Sequence, residues 1–153
     1  MAEEVRAFKD LSPLPADLCE QALRDGRAHA PLCLLVAEDD ELIRSVTCRI
    51  LENAGHHVLV AADGDEALRV FDENRDTVRI AVLDVVMPKR SGKAVYAHIR
   101  QADPKLPVIF TTGYSPAELE SLLAEDSSVS LLHKPYRSAE LLSEIGRMVQ
   151  LAT

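Results

Sequence analysis

No stretch of the 153 residues approaches the roughly 18–20 consecutive apolar side chains that a membrane-spanning helix needs, so no bilayer span is expected. The opening MAEEVRAFKD places acids where an export signal has its apolar centre, so no export signal is read and the expected location is the cytoplasm. Cysteine is sparse. Cys19, Cys33 and Cys48 are odd in number and lack CxxC spacing, which speaks for reduced structural thiols rather than a disulfide frame. Positive charge is in deficit: 17 Lys and Arg face 25 Asp and Glu, a net charge of −8. That balance argues against nucleic-acid binding through a basic face and suits an acidic protein that holds cations. Internal repeats and low-complexity tracts are also missing. What is present is an ordinary globular balance, 47% hydrophobic and 27% charged, at a length that fits one domain.

Residues 1–30 read as an extension or linker, broken by Pro13, Pro15 and Gly26, with one short helix near Ala16–Arg24. After Pro31 a regular pattern begins. Strand-like apolar runs fall at Leu32–Ala37, His57–Ala61, Arg79–Leu83, Val108–Thr111 and Ser130–His133, and helical patterns lie between them. The first helix has Ile43, Val46, Ile50 and Ala54 at helical spacing, with Gly55 at its stop. The second opens at Asp63 with Glu66 three residues on, a capping box. The third follows Ser91-Gly92 and runs to about Gln101; the fourth opens on Ser115, Pro116 and Glu118. The last carries Leu141, Leu142, Ile145, Met148 and Val149 on one face. Alternating strands and helices with short connections predict an α/β fold, a doubly wound parallel sheet in the flavodoxin-like (βα)5 arrangement with strand order 2-1-3-4-5.

In such a sheet the working site lies outside the carboxyl ends of the strands. Glu38, Asp39 and Asp40 follow strand one, Asp84 follows strand three, Thr111, Thr112 and Gly113 close strand four, and Lys134-Pro135 follows strand five. Taken singly, each has an ordinary reading as a cap, a turn or a surface charge. Jointly they do not. Strands one and three are neighbours in this order, so Glu38, Asp39 and Asp84 converge, and converging carboxylates repel unless a cation or a proton relieves them. Hard oxygen ligands with room for water suit Mg²⁺. A carboxylate can also act as a nucleophile toward phosphorus, and phosphoryl transfer needs mainly positioning and charge neutralisation. Asp84 is therefore the candidate for phosphorylation, with Lys134 and the Thr112 hydroxyl facing the same spot.

The motifs LLVAEDD, VLDVVMPKRSG, VIFTTGYS and LLHKPY stand in the order of the receiver domain of two-component response regulators, and residues 31–153 resemble that family. The resemblance implies that Glu38 and Asp39 form the acidic pair, with Asp39 a direct Mg²⁺ ligand; Arg44 supports this register over one using Asp39 and Asp40. It implies that Asp84 accepts the phosphoryl group and ligates the metal, that the Val86 backbone carbonyl lends a further ligand, that Thr112 supplies the switch hydroxyl, and that Lys134 contacts phosphate. It also implies a cis Lys134–Pro135 bond. Leu131 departs from the pattern, since relatives often carry Tyr or Phe there as a rotamer switch.

The implied function is a phospho-accepting receiver of a two-component or phosphorelay pathway that switches conformation to signal to a partner. The implied partners are a sensor histidine kinase or a histidine phosphotransfer protein, a downstream protein, and a second copy of the chain; direct nucleic-acid binding and membrane are not among them. No output domain follows the last helix, so a stand-alone receiver, or one belonging to a longer protein such as a hybrid kinase, is expected. An enzyme of the haloacid dehalogenase kind would need an acid two residues after its nucleophile, where this chain has Val86. A flavin-binding protein would need a phosphate cradle after strand one, where Glu38, Asp39 and Asp40 would repel phosphate. A degenerate receiver would not keep the full set of acids, Asp84, Thr112 and Lys134.

Overall fold

Five-residue runs dominated by Val, Leu, Ile and Ala, too short for helices and with few polar breaks, form strands covered on both faces. The computed structural model describes residues 31–114 and 117–152. Its strands are β1 (Cys33–Ala37), β2 (His57–Ala61), β3 (Ile80–Asp84), β4 (Val108–Thr112) and β5 (Val129–His133). Between and after them come α1 (Glu41–Asn53), α2 (Gly64–Glu73), α3 (Gly92–Ala102), α4 (Glu120–Glu125) and α5 (Ser138–Ala152), with a 3₁₀ turn at Ala117–Leu119 before α4. The sheet is parallel throughout, in the order β2-β1-β3-β4-β5. The expected fold is the observed one.

Alternate side chains of each strand feed two apolar layers. Leu35, Ala37, Leu83 and Phe110 pack with Phe71 of α2 and with Val95, Tyr96 and Ile99 of α3. Leu34, Val36, Val82 and Ile109 pack with Cys48 and Leu51 of α1 and with Leu141, Ile145 and Met148 of α5. The expected core face of the last helix is thus in place.

Local chemistry sets the helix starts. The Asp63 carboxylate accepts the Glu66 N–H at 2.8 Å, as the capping box predicts. The Glu66 carboxylate reaches back to the Ala62 N–H at 3.3 Å, one residue earlier than the usual partner. Ser91 caps α3 through the Ala94 N–H. Gly55, just past α1, has φ 95°, the left-handed stop that glycine favours.

The helical spacing read in this segment is that of α1, on its outer stripe. Its core residues are Thr47, Cys48 and Leu51, whereas Val46 is 51% exposed, Ile43 and Ile50 are only half-buried, and Ala54 is exposed. The helix carries two adjoining apolar stripes, and the spacing alone picked the outer one. Strand bounds also move: β3 takes in Asp84, β4 takes in Thr112, and β5 begins at Val129. The 1–30 extension with its short helix and Cys19, and the Ser115-Pro116 helix start, lie outside the described residues.

Candidate functional site

Register brings the carboxyl ends of β1, β3, β4 and β5 together. Ala37 pairs with Leu83, Asp84 with Thr111, and Thr112 with His133. The residues that follow therefore surround one spot. Glu38 and Asp84 are buried there, at 4% and 6% exposure, while Asp39 faces solvent. One oxygen from each of the three carboxylates lies within 4.8 Å of the others. Asp40 does not join them: its side chain accepts the Ile43 N–H at 3.1 Å and caps α1. Arg44 donates to the Glu38 carbonyl at 2.8 Å, which fixes the chain at the β1 exit.

Lys134 enters from the opposite side. Its Nζ lies 2.5 Å from Glu38 Oε1 and 3.0 Å from Asp84 Oδ2. Its backbone N–H donates to the Thr112 carbonyl at 2.7 Å, tying the β4 and β5 exits together. The Lys134–Pro135 bond is cis, as expected. The Thr112 hydroxyl accepts the Tyr114 N–H at 3.2 Å, and the Val86 N–H donates to Asp84 Oδ1 at 3.3 Å. Val86 and Tyr114 are exposed, 58% and 49%. Leu131 is half-buried against the larger apolar layer.

Three carboxylates against one ammonium leave the cluster with an excess of negative charge. Burial pushes the Glu38 carboxyl up to about 7, and its contact with Asp84 adds to the rise while Lys134 opposes it. Burial pulls the Lys134 ammonium down, but its hydrogen bonds to Glu38 and Asp84 outweigh that and hold it above its ordinary value. Hard oxygens, an excess of negative charge and one solvent-facing ligand fit a small dication that keeps part of its water shell.

Two glycines at helix starts also shape this site, and sequence reasoning gave them no part in it. A Cβ on Gly92 would lie 2.2 Å from the Asp84 carbonyl, so only glycine lets α3 begin against the end of β3. A Cβ on Gly64 would lie 2.2 Å from the Arg90 carbonyl, so α2 begins equally close to the β3–α3 loop. That loop is further held by the Lys89–Asp63 and Arg90–Asp65 ion pairs, and Lys89 takes a left-handed φ of 70°. The Gly that follows Ser91, a few residues after Asp84, was the available signal.

Known proteins resemble the chain over most of its described length. The description "Response regulator receiver domain" fits residues 34–146. The chain is 32% identical over 117 residues to the sensor kinase CckA of Brucella abortus, covering 76% of this chain and 12% of that protein. It is 29% identical to the response regulator receiver protein CpdR of the same organism, covering 76% of this chain and 95% of that one. It spans about half the length of the transcriptional regulators it matches. Among solved structures, the chemotaxis protein CheY4 of Vibrio cholerae superposes with a TM-score of 0.70 at 26% identity, covering 78% of this chain and 99% of that one.

Proposed function

The chain belongs to the response regulator receiver family, the phospho-accepting modules of two-component systems, and from that premise we propose that Asp84 is its phospho-acceptor. The observation that carries this reading is a buried Asp84 carboxylate beside two further acids and one ammonium at the end of β3. Receiver domains are signalling modules that work with histidine kinases and downstream effectors and bind Mg²⁺ at an acidic pocket. In this chain Glu38, Asp39, Asp84 and the Val86 carbonyl are the residues we assign to the metal. When bound, Mg²⁺ neutralises charge on phosphoryl oxygens.

The side chains have separate tasks. An Asp84 carboxylate oxygen attacks phosphorus; the O–P bond forms as the bond to the donor breaks, and the donor keeps the bonding electron pair. Suitable donors are the phosphohistidine of a sensor kinase or phosphotransfer protein, or a small acyl phosphate. Lys134, already on Asp84, shifts to a phosphoryl oxygen, and the Thr112 hydroxyl donates to another. Lys134 bridges Glu38, Asp84 and the β4 exit, so its shift changes the β4 and β5 loops and signals to a partner. We read residues 31–153 as the receiver and 1–30 as an extension or linker. We place the protein in the cytoplasm, and assign it no turnover of external substrates, since Val86 stands where an aspartyl hydrolase needs an acid. No helix of the described residues is long and apolar enough to cross a membrane.

Acetyl phosphate with Mg²⁺ tests the assignment. Intact-mass spectrometry is expected to show one added phosphoryl group on the wild type and none on Asp84→Asn. A phosphoryl group retained by Asp84→Asn would refute the role of Asp84.

A further inference from the structure

The outer stripe of α1 has the spacing of a buried face and nothing among the described residues on top of it. Leu42 is 73% exposed and Val46 51%. With Ile43, Ile50, Pro135 and Tyr136 they line an open groove of about 370 Å³ between α1 and the loop after Lys134. The Tyr136 hydroxyl is bonded to Thr47 at 2.7 Å, which fixes the far wall. An apolar groove along a helix suits an amphipathic helix as its occupant.

The chain itself supplies one. At about 100° per residue, Leu18, Cys19, Ala22 and Leu23 fall on one side of residues 16–24, and Asp17, Glu20, Gln21 and Arg24 on the other. The exit of this segment is in the right place. The Leu32 N–H donates to His56 Nδ1 at 3.1 Å and the His57 N–H donates to the Leu32 carbonyl at 2.8 Å. Both contacts pin the chain beside the turn that ends α1, at the Ile50 end of the groove. From Ile50 to Leu42 the helix runs about 12 Å, and a nine-residue helix is about as long. Residues 25–30 reach up to about 20 Å, enough to bring it there.

We propose that residues 16–24 dock as an amphipathic helix in the groove between α1 and the Lys134–Tyr136 loop of the same chain. Docked there, the segment covers Leu42 and Val46, stands next to the β5 exit that carries Lys134, and keeps other helices off α1. This docking needs no phosphoryl group on Asp84, so its test is independent of that assignment.

Cys19 provides a native probe, because Cys33 and Cys48 are buried at 4% and 5% exposure. Val46→Cys sets a second thiol in the groove itself in the full chain, at a position that is 51% exposed. Arg69→Cys sets a control thiol on α2, on the other side of the sheet, where the Arg69 side chain is 61% exposed. Under mild oxidation the Val46→Cys protein is expected to form an intramolecular disulfide with Cys19, in about tenfold greater yield than the control, because docking raises the local thiol concentration. Adding Leu18→Asp and Leu23→Asp should reduce that yield to the control level. Equal yields at the two positions would overturn the docking. So would a yield that survives both Asp substitutions, or a product that is a disulfide-linked dimer, which would instead place a second copy in the groove.

Discussion

Asp126 and Glu38 are both acids drawn out of solvent and held by a cation, yet their surroundings work in opposite directions. Burial works to raise the Asp126 carboxyl, but Arg100 Nε at 2.7 Å, the Tyr96 hydroxyl at 2.6 Å and the Ser128 N–H outweigh it and hold it below the usual carboxylate range. Arg100 is in turn satisfied by the carbonyls of Asp103, Leu106 and Ser128 and lies over the Tyr96 ring. At Glu38 one ammonium serves two buried carboxylates, with a third acid alongside, and the Glu38 carboxyl stays high, about 7. The first cluster is closed and ties α3 to the β4–β5 connection. The second is left with charge to neutralise. A receptive site differs from a structural ion pair by this deficit.

Breaking the closed cluster should cost most. Arg100→Ala leaves a half-buried Asp126 with its main partner gone and is expected to destabilise the chain by about 3 kcal/mol. At the open cluster Glu38→Gln removes one surplus charge and is expected to leave metal-free stability at pH 8 unchanged or higher. Chemical denaturation of both variants checks the contrast; similar losses in both would erase it.

The next effect is a pH dependence. The Glu38 carboxyl is raised in the folded chain to about 7 from an ordinary 4.5. Between those values the folded state holds a proton that the unfolded state releases, so this group's contribution is full below about pH 4.5 and is lost as pH rises to about 7. Asp126 and Glu144, both held low, act oppositely and lose their contributions in acid. Metal-free unfolding midpoints are expected to fall by a few degrees between pH 5.5 and 8. Glu38→Gln should flatten that slope, and a slope unchanged by the substitution would rule out Glu38 as its cause.

The smallest effect concerns the life of the phosphoryl group. Val86 and Tyr114, exposed beside Asp84 and Thr112, set an apolar side chain and a bulky ring on the approach to phosphorus, where an amide or carboxylate would hold an attacking water. Replacing them together, Val86→Asn with Tyr114→Glu, is expected to speed decay of phospho-Asp84 several-fold after donor removal. An unchanged or slower rate would mean that these side chains do not set the lifetime.

Much of this was legible in the residues. A strand buried on both faces leaves an uninterrupted apolar run, so all five strands could be placed to within a residue or two, and the acids at their ends stood out against that background. Caps made by short polar side chains, Asp63 and Ser91, were readable for the same local reason. The rest depended on contacts distant in sequence. The Gly after Ser91 hints at a close approach, but nothing local names the Asp84 carbonyl as what α3 starts against, or Arg90 as what Gly64 abuts. The core face of α1 was not read, because Thr47 and Cys48 look less apolar than Val46 and Ile50, and only the packing against β1 and α5 decides between the stripes. Asp40 caps α1 through the Ile43 N–H, a part not read from the sequence, while Asp39 stands with Glu38 and Asp84.

The central claim is that the charge deficit among Glu38, Asp39 and Asp84 is a place for a dication. Isothermal titration of Mg²⁺ into the wild type and into Asp39→Asn measures it directly. The account predicts one weak site on the wild type, too weak for a structural metal, and a clear loss of affinity in Asp39→Asn. Equal binding by the two proteins would contradict it.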